Sequence, residues 1–287
     1  PTGRSILCIR GAKGSGGLGG GSTARRTEHL SDINNTSTNG GNHGFGELAA
    51  LLRAEGFQVS QWIESNGTLT AQRLVPHRIV VFGSNNRVYS AAEVAAFHSW
   101  ADDGGSALFM SDANWGPNFD AAPQSDNQFL QRYGLAVYQD SADGIPVLNR
   151  STGGRYTQPE QAILSGYDGL GGGNDVQSYE GEGVSYFSRS APSSGWTNRG
   201  LVTATGFQVR LTTGNGSTGA KRPAGPNDFA LLLAERGNST IAGHFDRNTF
   251  FNRNGTGSNL TRRDHRRLAQ NLFRYLASVP SQVQAEG

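Results

Sequence analysis

Two rhythms of apolar and polar positions alternate along the chain, and their order predicts a sheet with helices crossing between its strands. Residues 5–10 form a short apolar run that ends at Arg10. After a long polar stretch, Phe45, Leu48, Ala49 and Leu52 recur at i, i+3, i+4 and i+7, the spacing of a helix with one buried face. Gly56 stands where a helix-ending glycine belongs. Residues 57–63 and 78–83 then read as strands, the second continuously apolar and so covered on both faces. Ser90 and Glu93 have capping-box spacing ahead of a helix carrying Val94, Phe97 and Ala101, and Gly104 and Gly105 close it. A fourth strand over 106–111, a short helix over 127–133, strands over 229–235 and 240–245, and a last helix opening at Thr261 complete the pattern. Such alternation with short connections produces a parallel sheet with right-handed crossovers.

The rhythm breaks over 140–226, where glycine, serine and asparagine dominate and β-like pieces are brief (184–188, 200–211). This stretch is too poor in apolar residues to build a core of its own, so it reads as an excursion from one domain spanning 1–287. The expected fold is a flavodoxin-like α/β open sheet, mainly parallel and flanked by helices, with a glycine-rich loop and β excursion.

Composition narrows the function classes. A mean hydropathy of −0.48 and the lack of a long apolar run argue against a transmembrane helix. A net charge of +2 is too mild and too scattered for nucleic acid, which calls for a concentrated basic stripe. A single cysteine, Cys8, excludes an internal disulfide and any multi-thiolate metal site, and its apolar neighbours mark it as a small buried hydrophobe. The only methionine is Met110, so the chain does not open on an initiator. Removal of a signal peptide would account for Pro1, as would trimming of a Met-Pro start, and a secreted or periplasmic setting is the expectation.

Four segments carry a likeness to known proteins: ELAALLRAEGFQV, RIVVFGS, AAEVAAFHSWADDGGSALFMSD, and the ending that runs from GHFDRNTFFNRNG into the last helix. Together they resemble the class I glutamine amidotransferase-like superfamily. The likeness is to its branches related to trehalose-utilisation proteins and to the domain shared by gliding and intraflagellar-transport proteins. A working amidotransferase of that superfamily carries a cysteine on a strand-to-helix elbow, supported by a histidine and a carboxylate. The corresponding strand end here reads Phe109, Met110, Ser111, Asp112, with no cysteine and no elbow glycines. The resemblance therefore implies the fold and the place of a pocket, without the chemistry.

In an open parallel sheet, ligands bind beyond the carboxyl ends of the strands. That rule gathers Arg10, Arg25, Glu28, Asp32, Asn34, Asn35 and His43 from the first loop, and Asn85 after the third strand. It adds Asp112, Asn114 and Trp115 after the fourth strand and Asp246, Arg247 and Asn248 after the last. Glu28, His43, Asp112 and Asp246 are the candidates for acid–base chemistry. Arg10, Arg25, Asp32, Asn34, Asn35, Asn85, Asn114, Trp115, Arg247 and Asn248 are the candidates for ligand contact. Many of these residues also serve simply as Asx-turn formers. Asp32, His43, Asp112 and Asp246 have no zinc spacing, and their oxygen-rich loops suit a divalent cation such as calcium; no other cofactor is expected. Gly14, Gly16 and Gly19 spell G-x-G-x-x-G, but no helix follows at once, and a flexible loop is the simpler reading. Trp115 and Trp196 lie in polar loops where an exposed ring stacks on sugars or a buried one anchors the loop. Arg262, Arg263, Arg266 and Arg267 read as a solvated helix face.

Three functions remain open. The first is a non-catalytic domain binding a polar small molecule or glycan at the carboxyl edge. The second is a hydrolase using Asp, His and Glu residues there, with or without a metal. The third is an extracellular structural or assembly protein.

Overall fold

In the computed structural model, the alternation becomes a nine-stranded mixed sheet. The structure describes residues 3–10, 31–38, 43–64, 67–85, 87–111, 122–151, 154–166, 175–211, 219–253 and 257–277. In order across the sheet, β2 (Gln58–Ile63), β1 (Ser5–Arg10), β3 (Ile79–Phe82), β4 (Ser106–Phe109) and β13 (Ser239–His244) run parallel. Beyond β13 the pairing turns antiparallel through β12 (Asp228–Arg236), β8 (Phe187–Arg189) and β5 (Leu135–Val137), and β9 (Thr197–Thr203) also pairs with β12. Two ribbons, β6 (Val147–Asn149) with β7 (Ser178–Glu180) and β10 (Gln208–Arg210) with β11 (Lys221–Pro223), stand off the sheet.

Period-two alternation sends successive residues of β1 to opposite faces. Ile6 and Cys8 pack with Val81 and Leu108 against Leu48 and Leu52 of α1 (Gly46–Ala54) and Leu268 and Leu272 of α6 (His265–Ala277). Leu7 and Ile9 join Val80, Phe82 and Phe109 on the other face. There they meet Leu74 of α2 (Ala71–Leu74), Phe97 and Trp100 of α3 (Ala91–Asp102), and Phe129 and Leu130 of α4 (Ala122–Leu130). Phe82 and Phe109 stack at 4.4 Å between adjacent strands, and Phe97 and Phe129 close on them. The capping box forms as its spacing predicts, with Ser90 accepting from the Glu93 amide and Glu93 from the Ser90 amide. Cys8 lies buried, and desolvation pushes its thiol up to about 12, which leaves it inert.

Several expectations need correction. The helix placed at 127–133 begins earlier, and residues 131–133 form a 3₁₀ turn that ends where Gly134 takes a φ of 69°. The last helix starts at His265, because Arg263 has a left-handed backbone (φ 44°) and Asp264 spends its carboxylate on the amides of Gln177 and Ser178. The stretch 200–211 is two strands rather than one, broken by a turn. The glycine-rich segment keeps no core of its own and packs onto the main one. Its strands β8 and β9 complete the sheet, and Leu148, Tyr156, Ile163 (on the short helix α5, Ala162–Ser165), Tyr179, Val184 and Leu201 join the same core cluster as β1.

The amino edge of the sheet is tied by one buried guanidinium. Arg78, 4% exposed, donates to the carbonyls of Asn238 at 2.8 Å, Ala277 at 3.3 Å and Gly104, joining the β12–β13 turn, the end of α6 and the end of α3. Each buried carbonyl left without a donor costs roughly 1–3 kcal/mol. Arg78→Met should therefore lower unfolding free energy by about 2–5 kcal/mol in urea titrations, against about 1 kcal/mol for the exposed-cap change Ser90→Ala. Equal losses for the two variants would show that Arg78 is not a tie.

Candidate functional site

The carboxyl edge is assembled around one main-chain oxygen. The carbonyl of Gly83, just past β3, accepts from Ser31 Oγ at 3.1 Å and from Arg247 Nη1 at 3.3 Å. Ser31 belongs to the loop returning to α1, and Arg247 follows β13, so this oxygen joins the ends of three separate chain segments. No side chain fits at Gly83, where an added Cβ would stand 2.9 Å from Ser31 Oγ and 3.1 Å from the Phe45 ring. Ser31 takes a φ of 62° to make the contact.

Asn252 fastens the same loops a second time. Its amide donates to the carbonyls of Asn35 (2.6 Å) and Ser37 (3.1 Å), and its Oδ1 accepts from the Glu47 amide in the first turn of α1 (2.9 Å). The Asn252 amide donates to the Gly44 carbonyl, and the His43 ring lies 4.9 Å from Phe251. The described parts of the first loop and the loop after β13 are therefore neighbours, as the edge rule requires.

On the β1 side, Arg10 pairs with Asp32 at 2.6 Å. The other oxygen of Asp32 accepts from Gln61 Nε2 and the Asn34 amide, while Gln61 Oε1 accepts from the Ile33 amide. Asn35 uses its side chain in an Asx-turn with the Ser37 amide. Asn34 is exposed, while Arg10 and Asp32 are partly open.

After β4 the polar groups turn inward. Asp126 on α4 accepts from Asn85 Nδ2 at 3.2 Å and from the Ser111 amide at 3.1 Å, and the Asn85 amide donates to Ser111 Oγ at 3.3 Å. All three residues are at most 1% exposed. Burial raises the Asp126 carboxyl well above the ordinary range, reinforced by the nearby Glu64 charge and opposed by the Ser111 hydrogen bonds and Arg247. Glu64, past the end of β2, accepts from the Tyr89 hydroxyl at 2.7 Å, and Arg87 donates to its carbonyl and to both oxygens of Glu93.

At the end of β13, His244 is buried with Nδ1 against the Asp246 carbonyl at 2.8 Å, and desolvation lowers it to about 3, so it is neutral near pH 7. Asp246 is fully buried, accepting from the amides of Asn248 and Glu182. These are turn-stabilising roles. Asn248 remains partly open beside Glu182.

Of the residues singled out in the sequence, Arg10, Asp32, Asn34, Asn35, His43, Asn85, Asp246, Arg247 and Asn248 therefore fall at this edge. Arg25, Glu28, Asp112, Asn114 and Trp115 lie outside the described residues, as do Gly14, Gly16 and Gly19. Among the described residues, no group of three His, Cys, Asp or Glu is placed to hold a metal ion, and no helix is long and apolar enough to cross a membrane. Sequence reasoning missed Asp126, Glu64 and Tyr89. Helical spacing was the available signal, since Asp126 precedes Phe129 and Leu130 by three and four positions and so shares their buried face. Trp196 is 5% exposed and packs edge-on against Tyr133 at 4.5 Å, which makes it a loop anchor and removes it from any sugar platform. Arg262 and Arg263 neutralise the fully buried Glu180 at 3.0 and 2.8 Å, so that pair is not a merely solvated face.

A carboxyl whose folded-state pKa is raised binds protons that the unfolded chain releases, so it lowers stability as pH rises from the ordinary carboxylate value through the folded one. Asp126→Asn removes that penalty, and the Asn85 amide can rotate to accept from the new Nδ2. We expect the variant to be at least as stable as the parent at pH 7.5, with the gap closing toward pH 4. Urea midpoints across that range check it, and a variant weaker at pH 7.5 than at pH 4 contradicts the assignment.

No protein-family model matches the chain, and no curated protein matches it. Among solved structures it is similar to the mmIFT52 N-terminal domain, with a TM-score of 0.57, 15% identity, and 96% of this chain and 98% of that chain covered. It is also similar to a putative ThuA-like protein from Parabacteroides merdae ATCC 43184 (TM-score 0.45, 13% identity, 97% and 92% covered). A third is the exo-β-1,4-mannosidase Op5Man5 from Opitutaceae bacterium strain TAV5 (TM-score 0.34, 12% identity, 86% and 32% covered). The first of these shows a shared fold.

Proposed function

We propose that the chain is a non-catalytic, amidotransferase-like binding domain that takes a polar ligand, carbohydrate being the class, at the carboxyl edge of its sheet. The observation that carries this is the state of Ser111, at the strand end where the resembled superfamily places its nucleophile. Its Oγ is buried and engaged by the Asn85 amide and by Asp126, a carboxyl group where a relay would need an imidazole. The described histidines nearest this edge do other work: His43 packs on Phe251, and His244 is locked to its own turn. A serine in that setting braces the floor of the edge.

Ligand contact falls instead to groups that reach solvent. Arg10 and Asp32 present an ion pair with 11% and 22% side-chain exposure, held flat by Gln61, and Asn34 and Asn248 flank the same edge. An aligned guanidinium, carboxylate and amides form the donor and acceptor set that orients hydroxyl-rich ligands.

A carboxylate-based hydrolase is the second reading, favoured by Asp126. Burial, with the nearby Glu64 charge, pushes its carboxyl well above the ordinary range, and a carboxyl raised in this way can act as a general acid. Turnover on a glycoside panel that Asp126→Asn abolishes would support it.

For the binding reading, calorimetry against neutral oligosaccharides should give saturable heat. Asp32→Ala should weaken it about tenfold, the loss of one good polar contact, while Ser111→Ala leaves affinity within about twofold. No heat with any saccharide, or an affinity that collapses in Ser111→Ala while Asp32→Ala is silent, rejects it.

A further inference from the structure

A second cleft opens on the antiparallel side of the sheet, apart from the Gly83 network. About 550 Å³ in volume, it is lined by Thr157, Gln158, Asn198, Thr203 and Thr205, by Arg189 and Arg199, and by Pro226 and Phe229. That volume lies within the roughly 300–1,000 Å³ typical of small-molecule sites.

Its shape has a local cause. The β9–β12 register shifts between Phe229 and Leu231 and again at Leu232, and such bulges bend a strand away from its partner. At the bend, Gly200 has no side chain because an added Cβ would stand 1.9 Å from the Phe229 ring. The result is an apolar wall of Phe229, Pro226 and glycine backbone facing a polar rim.

The charge of the lining is one-sided. No aspartate or glutamate is among the described lining residues. Arg199 is offset by Glu235 at 3.3 Å, whereas among the described residues Arg189 forms no ion pair and donates to the neutral Asn227 Oδ1, at 3.3 Å from both Nε and Nη2. The Arg189 guanidinium lies 5.0 Å over the Phe229 ring, which holds its donor fork in place. The net charge presented is close to a single positive unit, which suits a monoanion better than a phosphate dianion. A planar carboxylate matches the guanidinium fork in two parallel hydrogen bonds. Hydroxyl and amide groups on the rim, with an apolar wall behind, suit the hydroxyls and carbon face of a sugar ring.

We propose that this cleft binds an acidic saccharide, with Arg189 and Arg199 taking the carboxylate of a uronate unit and the Thr–Asn–Gln rim its hydroxyls. The site is separate from the carboxyl-edge site and stands or falls independently of it.

Calorimetry on the full chain tests it with three probes: trigalacturonate, its methyl ester as the neutral counterpart, and sodium sulfate as a bare anion. Trigalacturonate should bind saturably, and the ester about tenfold or more weakly, as expected for losing a charge-assisted pair. The Arg189→Gln and Arg199→Gln variants, singly and together, should weaken trigalacturonate binding in steps, with the thermal melt of Arg189→Gln unchanged. Because Arg189→Gln disturbs no ion pair among the described residues, it keeps the test readable if the double variant misfolds. No heat with trigalacturonate, equal affinity for the ester, or full affinity in Arg189→Gln overturns the proposal. Sulfate binding as tightly as the trimer overturns the saccharide assignment.

Discussion

The carboxyl edge depends on a doubly used carbonyl. A backbone oxygen has two lone pairs, and at Gly83 both are filled from segments far apart in sequence, Ser31 and Arg247. That arrangement needs a residue without a side chain at 83, a serine willing to take positive φ at 31, and a guanidinium buried to 5% exposure at 247. Each requirement is costly in isolation, and together they hold the loops after β1, β3 and β13 to one place. The Asn252 contacts to Asn35, Ser37 and Glu47 widen the same fastening to the start of α1.

Around that point the buried charges follow one rule: each is ion-paired, hydrogen-bonded to the main chain or neutral. Arg10 and Asp32 share an ion pair at the rim, Glu180 meets two arginines, and Asp126 resists ionisation. His244 and His265 are pushed down to about 3 and about 4 by burial, so neither carries charge near neutrality. His265 uses its neutral ring structurally, with Nε2 accepting from the Glu180 amide and Nδ1 against the Asn259 carbonyl. Among the described residues, the buried groups Asp246, Glu180, His244 and His265 hold neighbouring backbone and side chains in place, while half-open arginines, amides and hydroxyls reach solvent.

The parallel half of the fold was legible because its strands are continuous apolar runs and its helices carry clean stripes, as in Ile79–Phe82 and the Leu48, Leu52 face. The edge rule then brought Arg10, Asp32, Asn85 and Arg247 to one side of the sheet from strand order alone. The antiparallel half was legible only at β12, an apolar run, and as the loosely bounded β pieces at 184–188 and 200–211. Phe187, Leu201 and Val202 sit in short runs between glycines and serines, where two or three apolar positions fix no period, and only pairing with β12 makes β8 and β9 strands. Asp126 escaped for a related reason: a polar residue on a buried helix face looks like any other acid until its partners, Asn85 and Ser111, arrive from the loops after β3 and β4.

Hydrogen exchange on Arg247→Met reads the shared carbonyl most directly. Without that guanidinium, amides in 31–38 and 246–252 should lose protection together, while those of β4 and the β12–β13 pair keep theirs. Unchanged protection in both loops, or loss spread evenly through the sheet, would contradict a carboxyl edge fastened at Gly83.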